Sequence, residues 1–128
     1  MNHARIALAH SDGSFVSVYL HDDENEIKNS LILSEFYRKE TKVCSLMKLG
    51  DLSRLGKKIR PSKGFEHTMF NPENGVCIFY SRDRGDTGTD AVYSPTLASL
   101  KKLCRNTGAY HLYIYDSSYT FLWKEVNV

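Results

Sequence analysis

Apolar residues alternate with polar ones near both ends of the chain and recur at helical spacing between them. Arg5 to Ala9 and Phe15 to Leu20 read as two strands. The intervening His10-Ser11-Asp12-Gly13-Ser14 carries an Asp-Gly turn signal, so the chain is expected to open with a hairpin. Val16, Val18 and Leu20 alternate with Phe15, Ser17 and Tyr19, which leaves neither face of the second strand wholly polar. Asp22, Asp23, Glu24 and Glu26 then supply the negative charge that a helix N-terminus favours. Ile27, Leu31, Leu33, Phe36 and Tyr37 recur near helical spacing and predict a helix over about 25–38. A second helix is expected from an N-cap at Thr41, with Val43, Leu46 and Met47 on its apolar face and Gly50 at its end. Asp51 to Leu55 read as a turn or a single helical turn.

Val76-Cys77-Ile78-Phe79-Tyr80 is a continuous apolar run bounded by turn residues, the signature of a buried central strand. Residues 81–90 read as a charged loop. Ser94-Pro95 has the form of an N-cap followed by a first-turn proline. Leu97, Leu100, Leu103 and Cys104 carry the apolar stripe of the helix that follows, and Asn106-Thr107-Gly108 ends it. Tyr110 to Tyr115 and Tyr119 to Val126 predict a C-terminal hairpin, with Tyr119, Phe121 and Trp123 sharing one face. The sum is one α+β domain over residues 1–128. It is expected to hold an antiparallel sheet of about five strands, with about three helices packed mainly on one face.

Length and composition fit that reading. The 128 residues are 41% hydrophobic and 25% charged, an ordinary globular mixture. No apolar run reaches the roughly 20 residues that span a bilayer, and the N-terminal segment lacks a signal-peptide pattern. The protein is therefore expected in the cytoplasm and away from membranes. Cys44, Cys77 and Cys104 are widely spaced, odd in number and set in apolar patterns, so they read as reduced core thiols. No metal-ligand spacing, nucleotide loop or nucleophile motif is present, and no cofactor is expected. A net charge of +2 excludes a strongly acidic DNA mimic and does not by itself call for nucleic acid.

Three polar segments remain as candidates for function. Arg82-Asp83-Arg84-Gly85-Asp86 follows the apolar run. Its arginines have the fork geometry that grips phosphate or carboxylate, and Asp83 is placed to hold one of them. The bland alternative is a loop paired with itself. Residues 54–64 hold Arg54, Lys57, Lys58, Arg60 and Lys63 with no acidic residue among them. This basic connector is either a solvated loop or a contact for phosphate or for an acidic protein. Phe65 and Phe70 lie just beyond it. His21 precedes the acidic run and reads as a surface residue at a helix start, or as a proton carrier or ligand working with Asp22 or Asp23. Tyr110, Tyr113, Tyr115 and Tyr119 are interface candidates if their strands form an exposed edge, and core residues otherwise.

Several segments resemble, in order and spacing over roughly residues 5–90, a family of small, largely uncharacterised phage and prophage proteins. That family has the pattern Y-C-H-W-D-G-Y, N-G-K-I-L, K-V-x-x-L-I-x-L-G-D-L-S-x-L-G and V-x-V-A-Y-x-R-D-R-G-E. The matching segments here are Tyr19 to Asn25, Asn29 to Leu33, Lys42 to Gly56 and Val76 to Asp86. The piece from Lys42-Val43 to Leu49-Gly50-Asp51-Leu52-Ser53-Arg54-Leu55-Gly56 and the Arg82-Asp83-Arg84-Gly85 piece are the specific ones. Asp22-Asp23-Glu24-Asn25 stands where the family has W-D-G-Y, and Ser30 stands at its helix glycine. A site built on that segment would be lost or changed here. His21, Asp23, Arg82, Asp83 and Arg84 are retained.

The resemblance brings no established activity and implies a mobile-element origin. By analogy it points to a stoichiometric inhibitor that contacts a host defence protein or ribonucleoprotein, CRISPR–Cas effectors included. Arg82, Arg84 and the basic connector would be its contacts. A sponge for a nucleotide signal, gripping phosphate with His21, Arg82 and Arg84, is the alternative. A small enzyme using His21 beside Asp23 is a third. Oligomeric state is left open between monomer and dimer.

Overall fold

A computed structural model describes residues 3–21 and 26–128. The elements run β1 (Ala4–Ala9), β2 (Phe15–Leu20), α1 (Glu26–Phe36), α2 (Glu40–Leu49), β3 (Leu52–Arg54), β4 (Ile78–Phe79), α3 (Tyr80–Arg84), β5 (Val92–Ser94), α4 (Leu97–Asn106), β6 (His111–Tyr115) and β7 (Trp123–Val126). The α+β class is as expected. The described residues form one seven-stranded sheet in the order β4-β3-β2-β1-β6-β7, with β5 pairing β2 beside that path. It is a mixed sheet, where the sequence suggested a purely antiparallel one. β1 lies parallel to β6, and β2 parallel to β3.

The opening hairpin forms as expected. Asp12 Oδ1 accepts from the Ser14 amide at 3.0 Å, and Gly13 takes a left-handed φ of 87° that its lack of a Cβ permits. The pairing Ala4↔Leu20, Ile6↔Val18 and Leu8↔Val16 sends the even-numbered side chains of both strands to one face. There Ile6, Val18 and Leu20 pack with Leu33 of α1 and Val43 and Leu46 of α2. On the other face Ala7, Phe15, Leu112 and Ile114 pack with Leu100 and Cys104 of α4. Helices therefore cover both faces rather than one. The reason is already in β2, whose two faces are both apolar enough to need cover.

Several local expectations give way. The acidic residues 22–25, expected to start the first helix, lie outside the described residues. The N-cap of α2 is Lys39 without a side-chain bond, not Thr41. Residues 52–54 are a strand, because Leu52 pairs with both Leu20 and Phe79. The apolar run at 76–80 shortens to two strand residues, and Tyr80 already begins α3 inside the segment expected to be a loop. Ser94 is not a cap, since it ends β5 opposite Phe15. Thr96 caps α4 instead, in a reciprocal capping box with Ser99. Tyr119 and Phe121 fall in the turn before β7, so they do not share a strand face with Trp123.

All three cysteines are free, with Cys77 and Cys104 buried and Cys44 half-buried. Burial raises the Cys77 thiol, which sits 3.2 Å from the Tyr37 hydroxyl. Among the described residues no helix is long and apolar enough to cross a membrane.

Candidate functional site

The two specific motif pieces meet. Gly50 follows α2 with φ at 84°, and a Cβ there would stand 2.3 Å from the Thr89 carbonyl oxygen. Only glycine fits. Asp51 is then held at three points: its amide donates to Thr89 O at 2.8 Å, its carbonyl accepts from Tyr80 N at 3.2 Å, and Oδ1 accepts from Tyr19 N at 2.8 Å. Ser81 Oγ donates to Leu49 O at 3.1 Å, and Leu52 pairs with Phe79. Leu-Gly-Asp-Leu and Tyr-Ser-Arg-Asp-Arg are thus two halves of one lock that joins α2, β3, β4 and α3.

Arg82 and Asp83 lie inside the lock. The Asp83 side chain is 2% exposed, and its Oδ2 accepts from the Phe79 amide at 2.8 Å. Arg82 donates Nε to Asp83 Oδ1 at 2.8 Å and one Nη to Oδ2 at 3.0 Å. Its other bonds go to the carbonyls of Ile59 at 2.6 Å and Cys77 at 2.9 Å. Four of five N–H donors are spent inside the protein. The guanidinium also lies 4.8 Å over the Phe79 ring. His67 completes the group. Its Nδ1 accepts from the Glu73 amide, so Nε2 carries the proton and points at Cys77 O, 3.0 Å away, and Asp83 Oδ2, 3.4 Å away. Arg82 is a cross-brace between the connector and β4. Arg84 differs: it is exposed, pairs with Asp86 at 2.9 and 2.6 Å, and keeps the rest of its fork toward solvent. That pair holds the Asp86 carboxyl below its ordinary range and raises the guanidinium.

The basic connector is pinned rather than loose. Lys58 N donates to Gly75 O at 3.1 Å, Cys77 N to Lys58 O at 2.8 Å, and the Glu73 carboxylate accepts from Ser62 N and Oγ. Two grooves open along it. One, of about 740 Å³, lies between the connector and α2 and takes its cations from Lys42, Lys48, Lys58, Arg60 and Arg82. The other, of about 460 Å³, lies toward α1 and takes Lys28, Arg54, Lys57 and again Lys58. The two share Lys58 as a ridge. Eight of the 17 lysines and arginines line them, and none of the described lining residues is a carboxylate.

Not all eight cations face solvent. Lys42 Nζ donates to the carbonyls of Phe36 at 2.8 Å and Lys57 at 2.7 Å, and lies 4.2 Å over the Tyr37 ring. Partial burial lowers its pKa. Lys42 and Arg82 form a fixed floor, while Lys48, Lys57, Lys58 and Arg60 are exposed above it. Lys63 is exposed but lines neither groove.

The structure therefore brings Arg54, Lys57, Lys58 and Arg60 onto one face, and leaves Arg84 outside the residues that line its grooves. Asp23 lies outside the described residues. Among the described residues, no hydrogen bond, ion pair or ring contact joins His21 to Arg82 or Arg84. His21 instead meets Tyr19, whose hydroxyl is 3.2 Å from its Nδ1, and His3, whose ring centroid is 4.2 Å away. Sequence reasoning missed the contributions of Lys28, Lys42 and Lys48. Lys42, Ser45 and Lys48 form a polar strip opposite Val43, Leu46 and Met47, a signal the sequence carried. Of the four tyrosines considered for an interface, Tyr113 and Tyr115 are core residues and Tyr110 is exposed. No family model matches the chain, and neither a curated protein nor a solved structure matches it.

Proposed function

We propose that the protein is a stoichiometric binder whose paired basic grooves dock on the phosphate backbone of a host defence ribonucleoprotein. The observation that carries this reading is the segregation of charge. A chain of net charge +2 lines two adjoining grooves with eight cations and no described carboxylate, one of the eight, Arg82, being paired beneath the surface with Asp83. Such a face attracts polyanions and releases their counterions on contact. The resemblance to small phage proteins supplies the setting, an inhibitor acting in the cytoplasm of a bacterial host and directed at an effector of the CRISPR–Cas kind. Lys58 and Arg60 are the central contacts, with Arg54, Lys57, Lys48 and Lys63 around them. Arg82 supports them from below, and Arg84 is a peripheral contact.

A second reading has its own support. A groove of about 740 Å³ is of the size that holds a small ligand, and its cations suit a phosphorylated nucleotide. A fluorescently labelled 20-nucleotide RNA, titrated at several salt concentrations, separates the two. A backbone contact gives an affinity that falls steeply with salt. In a Lys58→Glu/Arg60→Glu variant, affinity drops and the log–log slope shrinks by about 1.4, roughly 0.7 per lost phosphate contact on a single strand. Absence of RNA binding at low salt, with thermal stabilisation by a nucleotide, sinks the first reading in favour of the second.

A further inference from the structure

The β1–β2 register continues one step past its last pair. Ala4 faces Leu20 and each step keeps the same sum, so His3 and His21 stand opposite each other at the open end of the hairpin. Odd-numbered side chains of both strands share a face, so the two imidazoles emerge together with Tyr19 between them. Both Nδ1 atoms turn to the same phenolic oxygen. His3 Nδ1 is hydrogen-bonded to Tyr19 Oη, and His21 Nδ1 lies 3.2 Å from it. The rings of His3 and His21 meet edge to face at 4.2 Å. Two imidazole nitrogens thus face one phenol oxygen. His21 is exposed, and His3 and Tyr19 are half-buried.

We propose that His3, Tyr19 and His21 form a binding site for a divalent transition-metal ion of borderline softness, with Zn²⁺ as the probe. Imidazole nitrogen is a ligand such ions favour, and the Tyr19 phenol supplies an oxygen in place of the more usual carboxylate. Metal–ligand bonds of about 2.0–2.1 Å in a tetrahedron place donor atoms about 3.3 Å apart. The 3.2 Å between His21 Nδ1 and Tyr19 Oη is close to one edge of that tetrahedron, and the closer contact of His3 Nδ1 with Tyr19 Oη opens to admit the ion. Binding replaces the hydrogen bonds among the three donors with bonds to the metal, and the Tyr19 hydroxyl proton leaves to solvent if the phenolate ligates. The fourth position is left to water.

The donors stand on rigid ground. All three belong to β1 and β2 or flank them directly. The Tyr19 amide is tied to Asp51 Oδ1 at 2.8 Å, and the His21 amide to Leu52 O at 3.0 Å. Asp51 is in turn fixed by the lock described above. The set holds two histidines and a tyrosine; among the described residues no three His, Cys, Asp or Glu side chains are grouped to hold a metal ion. This site uses none of the groove residues and is independent of the phosphate-binding reading.

The test is a titration of the full chain with Zn²⁺ against a chromophoric chelator, followed by Co²⁺ substitution and absorption spectroscopy. One ion per chain is expected, with Co²⁺ d–d bands of low coordination number. His21→Ala changes an exposed residue and should weaken binding by about 100-fold or more, since loss of even an outer-shell partner costs 10–100-fold. Tyr19→Phe should weaken it less and alter the Co²⁺ spectrum. His10→Ala, at an exposed histidine in the turn at the far end of the β1–β2 hairpin, should leave binding unchanged. Equal Zn²⁺ affinity of the wild type and His21→Ala overturns the site, as does a wild type that binds no ion. Circular dichroism of each variant separates loss of the site from loss of the fold.

Discussion

If Arg82 is a brace and not a contact, removing either partner of the Arg82–Asp83 pair should cost stability before it costs binding. Asp83→Ala deletes the acceptor of two charged bonds from Arg82 and of the Phe79 amide. Breaking a buried pair from one side costs about 3–5 kcal/mol. The Arg82 side chain is 24% exposed, so water takes up part of the loss, and the lower end, about 3 kcal/mol, is expected. Arg82→Ala strands a carboxylate that is 2% exposed and also frees the Ile59 and Cys77 carbonyls, so its cost should be at least as large.

Urea unfolding of the two single variants and the double variant, followed by circular dichroism, measures this. For a chain of this size each kcal/mol moves the midpoint by roughly 3–5 °C, so a parallel melt should fall by about 10 °C. The double variant should lose less than the sum of the singles, because the second change removes a group already left without its partner. Arg84→Ala, on an exposed pair, should leave unfolding unchanged within error. Single-variant losses under about 1 kcal/mol, or strictly additive losses, would refute the brace. Arg82 would then return as a contact residue.

Two further outcomes test the same lock. Gly50→Ala places a Cβ 2.3 Å from a backbone oxygen at a positive φ and should cost at least about 3 kcal/mol, against about 1 kcal/mol for Gly13→Ala, where φ is also positive but space is open. Equal urea midpoints for the two variants would remove the close approach to Thr89 as the reason for the glycine. Asp51 is raised above its ordinary 3.8 by burial, with the Tyr19 amide and Arg5 pulling the other way. Its ionised form is therefore the one the fold disfavours. The contribution of Asp51 to stability falls as pH rises from 3.8 through the raised value, and Asp51→Asn lacks that loss. The stability difference between them should shift toward the variant from pH 3.5 to pH 7; a shift the other way would mean that the Tyr19 amide, with the Arg5 charge, governs Asp51 instead.

The elements most legible in the sequence were those decided locally. An Asp-Gly turn between two apolar strands gave the hairpin, and the stripe of Val43, Leu46 and Met47 gave α2. β5 was hidden because Val92 and Tyr93 are exposed and only its pairing with β2 makes it a strand. α3 was hidden because five residues of Tyr-Ser-Arg-Asp-Arg carry more charge than helical periodicity. Sheet direction depended on β1 lying beside β6, a contact over a hundred residues apart in the chain. The grooves were half legible: the connector's charges stood in a row, but Lys28 and Lys48 join them only through the packing of α1 and α2. His21 was read with its sequence neighbours, whereas its register partner is His3.

The resemblance and the chemistry separate on the same grounds. The segments Leu49 to Leu52 and Arg82 to Gly85 spend their polar groups on one another and on neighbouring backbone. Gly50 has no room for a side chain, Asp51 bonds at three points, and Arg82 uses four of its five donors internally. Groups so committed have little left to offer a partner, which makes these segments a signature of the fold. The groups still available to a partner lie elsewhere, on Lys57, Lys58 and Arg60 of the connector and on Lys48 of α2. The lock fixes the connector through Arg82 and the Ile59 carbonyl, so it sets where those charges stand without touching what they bind. A chain that keeps the lock and changes the connector would keep this fold and present a different charged face.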